Sequence, residues 1–138
     1  MLDPNKNPEY FNRLSQDHFP EHMGIVVTKV EQVLLELEME LRKEFFAPNG
    51  FLHAGSIVTL ADTGAGYATV AHLPSDARIF TTLELKTNFM GAARDGKLKA
   101  ICEAEHMGKS TQVWLVSVID TTKDKQVALF SCTQMILY

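Results

Sequence analysis

The chain has 138 residues, 46% of them hydrophobic and 22% charged, with a formal net charge of −4. That length and balance suit one globular domain with its own core, spanning residues 1–138, and exclude a disordered chain or a disulfide-stapled miniprotein. Lys97, Lys99, Lys109, Lys123 and Lys125 are scattered among acids, which excludes the basic stripe of a nucleic-acid-binding surface. Cys102 and Cys132 stand far apart outside any CxxC pattern, and the opening MLDPNKNPEYFNRL has no basic segment followed by an apolar run. A cytoplasmic protein with two reduced thiols is the expectation.

Residues 1–22 read as an N-terminal helical extension. Within it, Tyr10, Phe11 and Leu14 share one stripe of an amphipathic helix over residues 7–19, and Pro20 is expected to stop that helix. GIVVT at residues 24–28 is β-branched and strand-like. From 33 to 42 the pattern has a period of two: Val33, Leu35, Leu37, Met39 and Leu41 point one way, and Glu36, Glu38, Glu40 and Arg42 the other. APNG at 47–50 is turn chemistry. Residues 53–72, HAGSIVTLADTGAGYATVAH, then form one long helix that Pro74 closes off.

That helix is too short, too rich in Gly, Ser and Thr, and too interrupted by Asp62 to be a membrane span. Its surface is apolar or small nearly all round, so it must be enclosed. Four strands follow, at 79–90, 97–107, 111–120 and 126–137, joined by GAARDG, GKS and TTKDK; short loops predict an antiparallel meander. The expected fold is α+β, an antiparallel sheet wrapped around one long central helix. Trp114 is expected to pack in the sheet or an interface. His18, His22, His72 and His106 have no metal-ligand spacing with one another or with the cysteines, so no metal site is expected.

The order Asn49-Gly50-Phe51-Leu52-His53-Ala54-Gly55, then Leu60-Ala61-Asp62-Thr63 and Gly66-Tyr67, followed by TTLELKTNFMGAARDGKLKA, resembles the PaaI-like branch of the hotdog-fold acyl-CoA thioesterases over residues 24–137. This chain has His53-Ala54-Gly55 where the family usually has His-Gly-Gly. It has Ala47 where many members have Asn or Gln, with Asn49 close by as a partial substitute, and Gly91-Ala92-Ala93-Arg94 where Arg-Pro is common.

The resemblance implies hydrolysis of an acyl- or aryl-CoA thioester without metal or redox cofactor, coenzyme A being part of the substrate. It implies Asp62 as general base or nucleophile, Thr82 as a water-positioning residue and a homodimer or homotetramer with sites at the dimer interface. Physical reasons run beside it. The amides of Ala54 and Gly55 would stand at the positive end of the helix dipole, where an oxyanion is stabilised. Apolar neighbours should raise the pKa of Asp62. Ala54 and Asp62 are separated by roughly 12 Å along one helix, so a single carbonyl cannot reach both and the site must combine two chains.

His53 is expected to orient the turn or the thioester through a ring hydrogen bond. Alternation along the third strand, with Ile79, Thr81, Leu83 and Leu85 inward, would point Thr82 outward. Arg94 and Lys109 are candidates for the coenzyme A phosphates. Two other readings stay open: a thioesterase acting on acyl-carrier protein, and a catalytically weak acyl-CoA-binding module.

Overall fold

The computed structural model describes residues 1–138. Two short helices, α1 (Pro8–Leu14) and α2 (Phe19–His22), precede the hairpin β1 (Ile25–Glu31) and β2 (Leu34–Glu40). A 3₁₀ turn (Lys43–Phe45) leads to α3 (Ala54–Ala71), and the chain ends in β3 (Ile79–Phe89), β4 (Lys97–Met107), β5 (Thr111–Asp120) and β6 (Lys125–Leu137). The strands form one six-stranded sheet in the order β1-β2-β4-β5-β6-β3, every neighbouring pair antiparallel. Helix α3 packs on one face of it, which is the expected architecture. No helix is long and apolar enough to cross a membrane.

Alternation explains which face meets the helix. Leu35, Leu37 and Met39 of β2, Leu98, Ala100 and Cys102 of β4, Trp114, Val116 and Val118 of β5, and Ala128, Phe130 and Cys132 of β6 are all fully buried. Their in-between neighbours, such as Glu36, Glu38, Lys97 and Lys99, stay wet and pair across the outer face. The helix comes very close where it lacks a side chain. A Cβ placed on Gly64 would lie 2.5 Å from Cys102 Sγ and 2.6 Å from a Leu37 methyl, so only glycine fits.

Four expectations need correction. Pro20 starts α2 instead of stopping α1, because a proline in the first turn loses only an N–H that has no helical partner anyway. Leu14 of α1 is exposed, and Phe11 alone is buried from that stripe. Val33 belongs to the β1–β2 turn, with φ of +58°, and not to the strand. Its amide donates to His72 Nε2 at 3.0 Å, and His72 Nδ1–H donates to the Ala68 carbonyl at 2.8 Å. This buried imidazole holds the turn, and burial lowers its pKa.

The last correction concerns the meander, which covers only β4, β5 and β6. Strand β3 crosses over and pairs with β6 at the far edge. The two edges of the sheet consequently differ. At β1, Asn12 of α1 acts as a stand-in strand: its Nδ2 donates to Val27 O at 3.0 Å and its Oδ1 accepts from Val27 N–H at 2.8 Å. At β3 the outer edge is uncovered, and Ile79, Leu83, Leu85 and Phe89 are exposed. One face of α3, carrying Val58, Asp62, Gly66 and Val70, is likewise only partly covered, so a single copy encloses the helix incompletely.

Candidate active site

The turn before α3 is fixed by its own polar groups. Asn49 Oδ1 accepts from Phe51 N–H at 3.1 Å, Gly50 takes φ of +83°, and Phe46 bridges to Leu52. Asn49 thus braces the turn through its Oδ1. His53 is the N-cap, its ring folded back so that Nδ1 accepts from Gly55 N–H at 2.8 Å. A Cβ on Gly55 would sit 2.9 Å from that nitrogen, which is why glycine follows Ala54 here. An accepting Nδ1 places the ring proton on Nε2 in the neutral imidazole.

The His53 ring, expected to orient the turn or the thioester, hydrogen-bonds the turn here, and one expectation changes in consequence. The Ala54 and Gly55 amides are not both free: Gly55 N–H is taken by His53, while Ala54 N–H, at the first helical position, makes no hydrogen bond within the chain. A free N–H at a helix N-terminus is suited to an oxyanion.

Asp62 follows two turns later. Its side chain forms no hydrogen bond, and its Oδ1 is buried and unpaired. Burial raises its carboxyl pKa above the ordinary value of 3.8, so it holds a proton more readily than a surface aspartate. Its charge, together with burial as the larger cause, pushes the Cys132 thiol up to about 12. The continuous α3 separates Asp62 from Ala54 by the roughly 12 Å that helical rise requires.

Thr82 lies on the helix side of the sheet, not the outside. The ladder pairs Phe80 with Ile136, Thr82 with Gln134, and Leu85 with Cys132, and those β6 residues face α3 and are buried. The register shifts between Thr82 and Glu84, so Leu83 is a bulge residue that reverses the alternation on either side of it. Strict alternation from Leu85 backward cannot see that extra residue. Thr82 therefore stands on the side of the sheet that carries α3 and Asp62, and its own side chain is exposed. Gln134, fully buried beside Thr82, was not singled out from the sequence; its signal is an amide in the inward phase of Phe130, Cys132 and Ile136.

Beside the N-terminus of α3 is an apolar cleft of about 240 Å³ lined by Phe51, Leu52, Ala54, Ile57 and Phe89 among others. The Arg94 guanidinium stands 5.4 Å from the Phe51 ring centroid, at this end of the sheet. Lys109 sits in the β4–β5 turn, where its carbonyl accepts from the Tyr138 hydroxyl. The length of β4, about 33 Å at strand rise, keeps Arg94 and Lys109 apart within one chain. His18, His22 and His106 are exposed, and no three His, Cys, Asp or Glu side chains come together in a metal-binding group.

Residues 49–126 match the thioesterase superfamily. A 1,4-dihydroxy-2-naphthoyl-CoA hydrolase of Listeria monocytogenes is 33% identical over 113 residues, covering 82% of this chain and 90% of that protein. Among solved structures, a mutant thioesterase of Pseudomonas aeruginosa superposes with a TM-score of 0.92 at 22% identity, covering 99% of this chain and 97% of that one. The PaaI protein of the Escherichia coli phenylacetic acid degradation operon gives 0.82 at 20% identity, covering 93% and 90%. At such identities the two structures speak to the fold.

Proposed function

The chain belongs to the thioesterase superfamily, and from that premise we propose that it hydrolyses an acyl- or aryl-CoA thioester to the free acid and coenzyme A in a site shared by two copies. The observation that carries this reading is Asp62: an unpaired carboxylate with a raised pKa, on a helix whose free N-terminal amide lies about 12 Å away in the same chain.

In the proposed reaction, Asp62 takes a proton from a water held beside Thr82, and the water oxygen bonds to the thioester carbon. Charge moves to the carbonyl oxygen, which the partner copy's Ala54 N–H stabilises, joined by Gly55 N–H if the His53 ring swings aside. Collapse breaks the C–S bond, and the sulfur leaves with the electron pair and receives the proton held by Asp62. No metal or redox cofactor takes part. Direct attack by Asp62, giving an anhydride that water then cleaves, is the other route open to the same carboxylate.

The open β3 edge supports assembly. Antiparallel pairing of β3 with a second copy would continue the sheet and set the two α3 helices side by side and antiparallel. It would also serve the phosphates. Thr81 and Thr111 both pair with Met135, so the start of β3 is level with the β4–β5 turn that carries Lys109. Antiparallel pairing brings that turn of one copy to the end of the other where Arg94 stands.

Thiol release from short, medium, long and aromatic acyl-CoAs tests the reading, with wild type beside Asp62→Asn. Turnover of at least one substrate, with a loss of roughly 10²–10⁴-fold in the folded variant, is expected. Binding of the panel without hydrolysis would favour an acyl-CoA-binding module, a reading supported by Ala47 at the usual Asn or Gln position and by the occupied Gly55 amide. Turnover only of acyl groups on carrier protein would move the substrate and leave the chemistry.

A further inference from the structure

Between α3 and the inner face of β3 and β6 runs a seam with three buried polar atoms that have no partner: Asp62 Oδ1, Thr87 Oγ1 and Gln134 Oε1. Buried polar groups are nearly always paired, so each asks for an explanation; Thr87, opposite Phe130, lies well along β6 from Gln134 and is a separate case. Thr82 pairs with Gln134 across the β3–β6 ladder, and Leu85 pairs with Cys132 one step further along. The Gln134 side chain turns along β6 toward that step, with Nε2 3.4 Å from Cys132 Sγ. The Cys132 thiol in turn feels the charge of Asp62. Turning the amide over would exchange its ends and leave the nitrogen unpaired in place of the oxygen, so one end lacks a partner in either orientation.

We propose that Gln134 is a positioning residue for the same reaction: its buried carboxamide, beside Thr82, holds a water that donates to the unpaired Asp62 Oδ1 and fixes that carboxylate, leaving Oδ2 to act on the attacking water. One water has two hydrogens, which matches the two unpaired acceptors Asp62 Oδ1 and Gln134 Oε1. This inference rests on the hydrolytic reading above. The titratable groups facing the seam are Asp62 from α3 and Cys132 from β6, with the Cys102 thiol of β4, pushed well up by burial, behind them against Gly64. Glu84 of β3 lies on the opposite face, accepting from Thr133 at 2.8 Å. With Cys132 pushed up to about 12, an acid-side titration of the seam reports on Asp62.

Gln112 provides the comparison. It is the ladder partner of Gln134 on β5 and equally buried, but its amide is satisfied, donating to His72 O and accepting from Trp114 Nε1–H, each at 3.1 Å. Wild type, Gln134→Met and Gln112→Met are compared for kcat and KM on an acyl-CoA that wild type hydrolyses, from about pH 4.5 to 8, and for thermal midpoint. The Asp62 carboxyl carbon is titrated by NMR, assigned with Asp62→Asn.

Gln134→Met should lower kcat roughly 10-fold with KM little changed. It should raise both the acid limb and the NMR midpoint by about half a pH unit or more, because the ionised carboxylate loses a donor. Gln112→Met should lose thermal stability with the limb in place. If Gln134→Met does not fold, Gln134→Asn withdraws the amide by one methylene and carries the same expected shift. An Asp62 midpoint unchanged in the Gln134 variant overturns the proposal, whatever happens to stability. Should wild type hydrolyse nothing while the Asp62 midpoint still moves, the hydrolytic reading falls and the placement of Gln134 stands.

Discussion

The Asp62 carboxyl group has no hydrogen-bond partner in its own chain, and that arrangement has a sign that can be measured. Its folded pKa is raised above the ordinary carboxylate value by burial. Folding therefore favours the protonated form, and the associated stability is fully present below the unfolded pKa, about 3.9. It is lost as pH rises through the raised folded value, beyond which the fold carries a poorly solvated charge. Asparagine has nearly the same shape and no charge to desolvate. Asp62→Asn should accordingly unfold at a higher temperature than wild type near pH 8, with the two midpoints converging toward about pH 4. Parallel midpoints across that range would show that the carboxylate is not strained. A variant both more stable and less active is the trade-off expected of a functional group kept against the fold's interest.

At the scale of elements, the contact between α3 and the sheet depends on the missing side chain at Gly64. Gly64→Ala puts a methyl inside the van der Waals radius of Cys102 Sγ and Leu37. Overpacking of this kind costs about 1–3 kcal/mol, which outweighs the gain in helix propensity, of about 1 kcal/mol. Chemical denaturation should show that loss; a neutral or stabilised variant would mean the helix can ride further from the sheet.

The elements themselves were legible where period and punctuation agree. The long helix, β4 and β5 fall at the expected places because each has clear alternation or a cap and is bounded by Gly, Pro or charged turn residues. Strand pairing was not legible, since the crossover from β3 to the far edge leaves no local mark. The face of Thr82 was hidden for a related reason: a bulge at Leu83 is one residue of ordinary composition that inverts the phase. At the site, Asp62 stood out as a lone charge in an apolar run. The loss of Gly55 N–H to His53 depends on a side-chain rotamer, which no spacing encodes.

For the whole molecule, the asymmetry of the sheet edges matters most. Asn12 closes the β1 edge, whereas β3 presents an open backbone and exposed apolar side chains on a strand that only partly covers α3. A second copy at β3 would cover that strand, bring one chain's Asp62 toward the other's helix N-terminus, and set Lys109 of one at the Arg94 end of the other.

Ala54 offers a clean way to ask whether the site is shared. Proline is well tolerated at a first helical position, and His53 already has the extended backbone, φ −63° and ψ 133°, that a following proline prefers. Ala54→Pro therefore deletes one N–H and should leave the helix standing. Alone it should lose on the order of 10²–10³ in kcat. The decisive measurement mixes it, after reversible dissociation, with an equal amount of Asp62→Asn. Half of the dimers then carry both variants, each with one site holding an intact Asp62 and an intact Ala54 amide, so recovery of about a quarter of wild-type activity is predicted. No recovery, from subunits shown to have exchanged, would place Asp62 and the oxyanion donor in one chain and contradict the account.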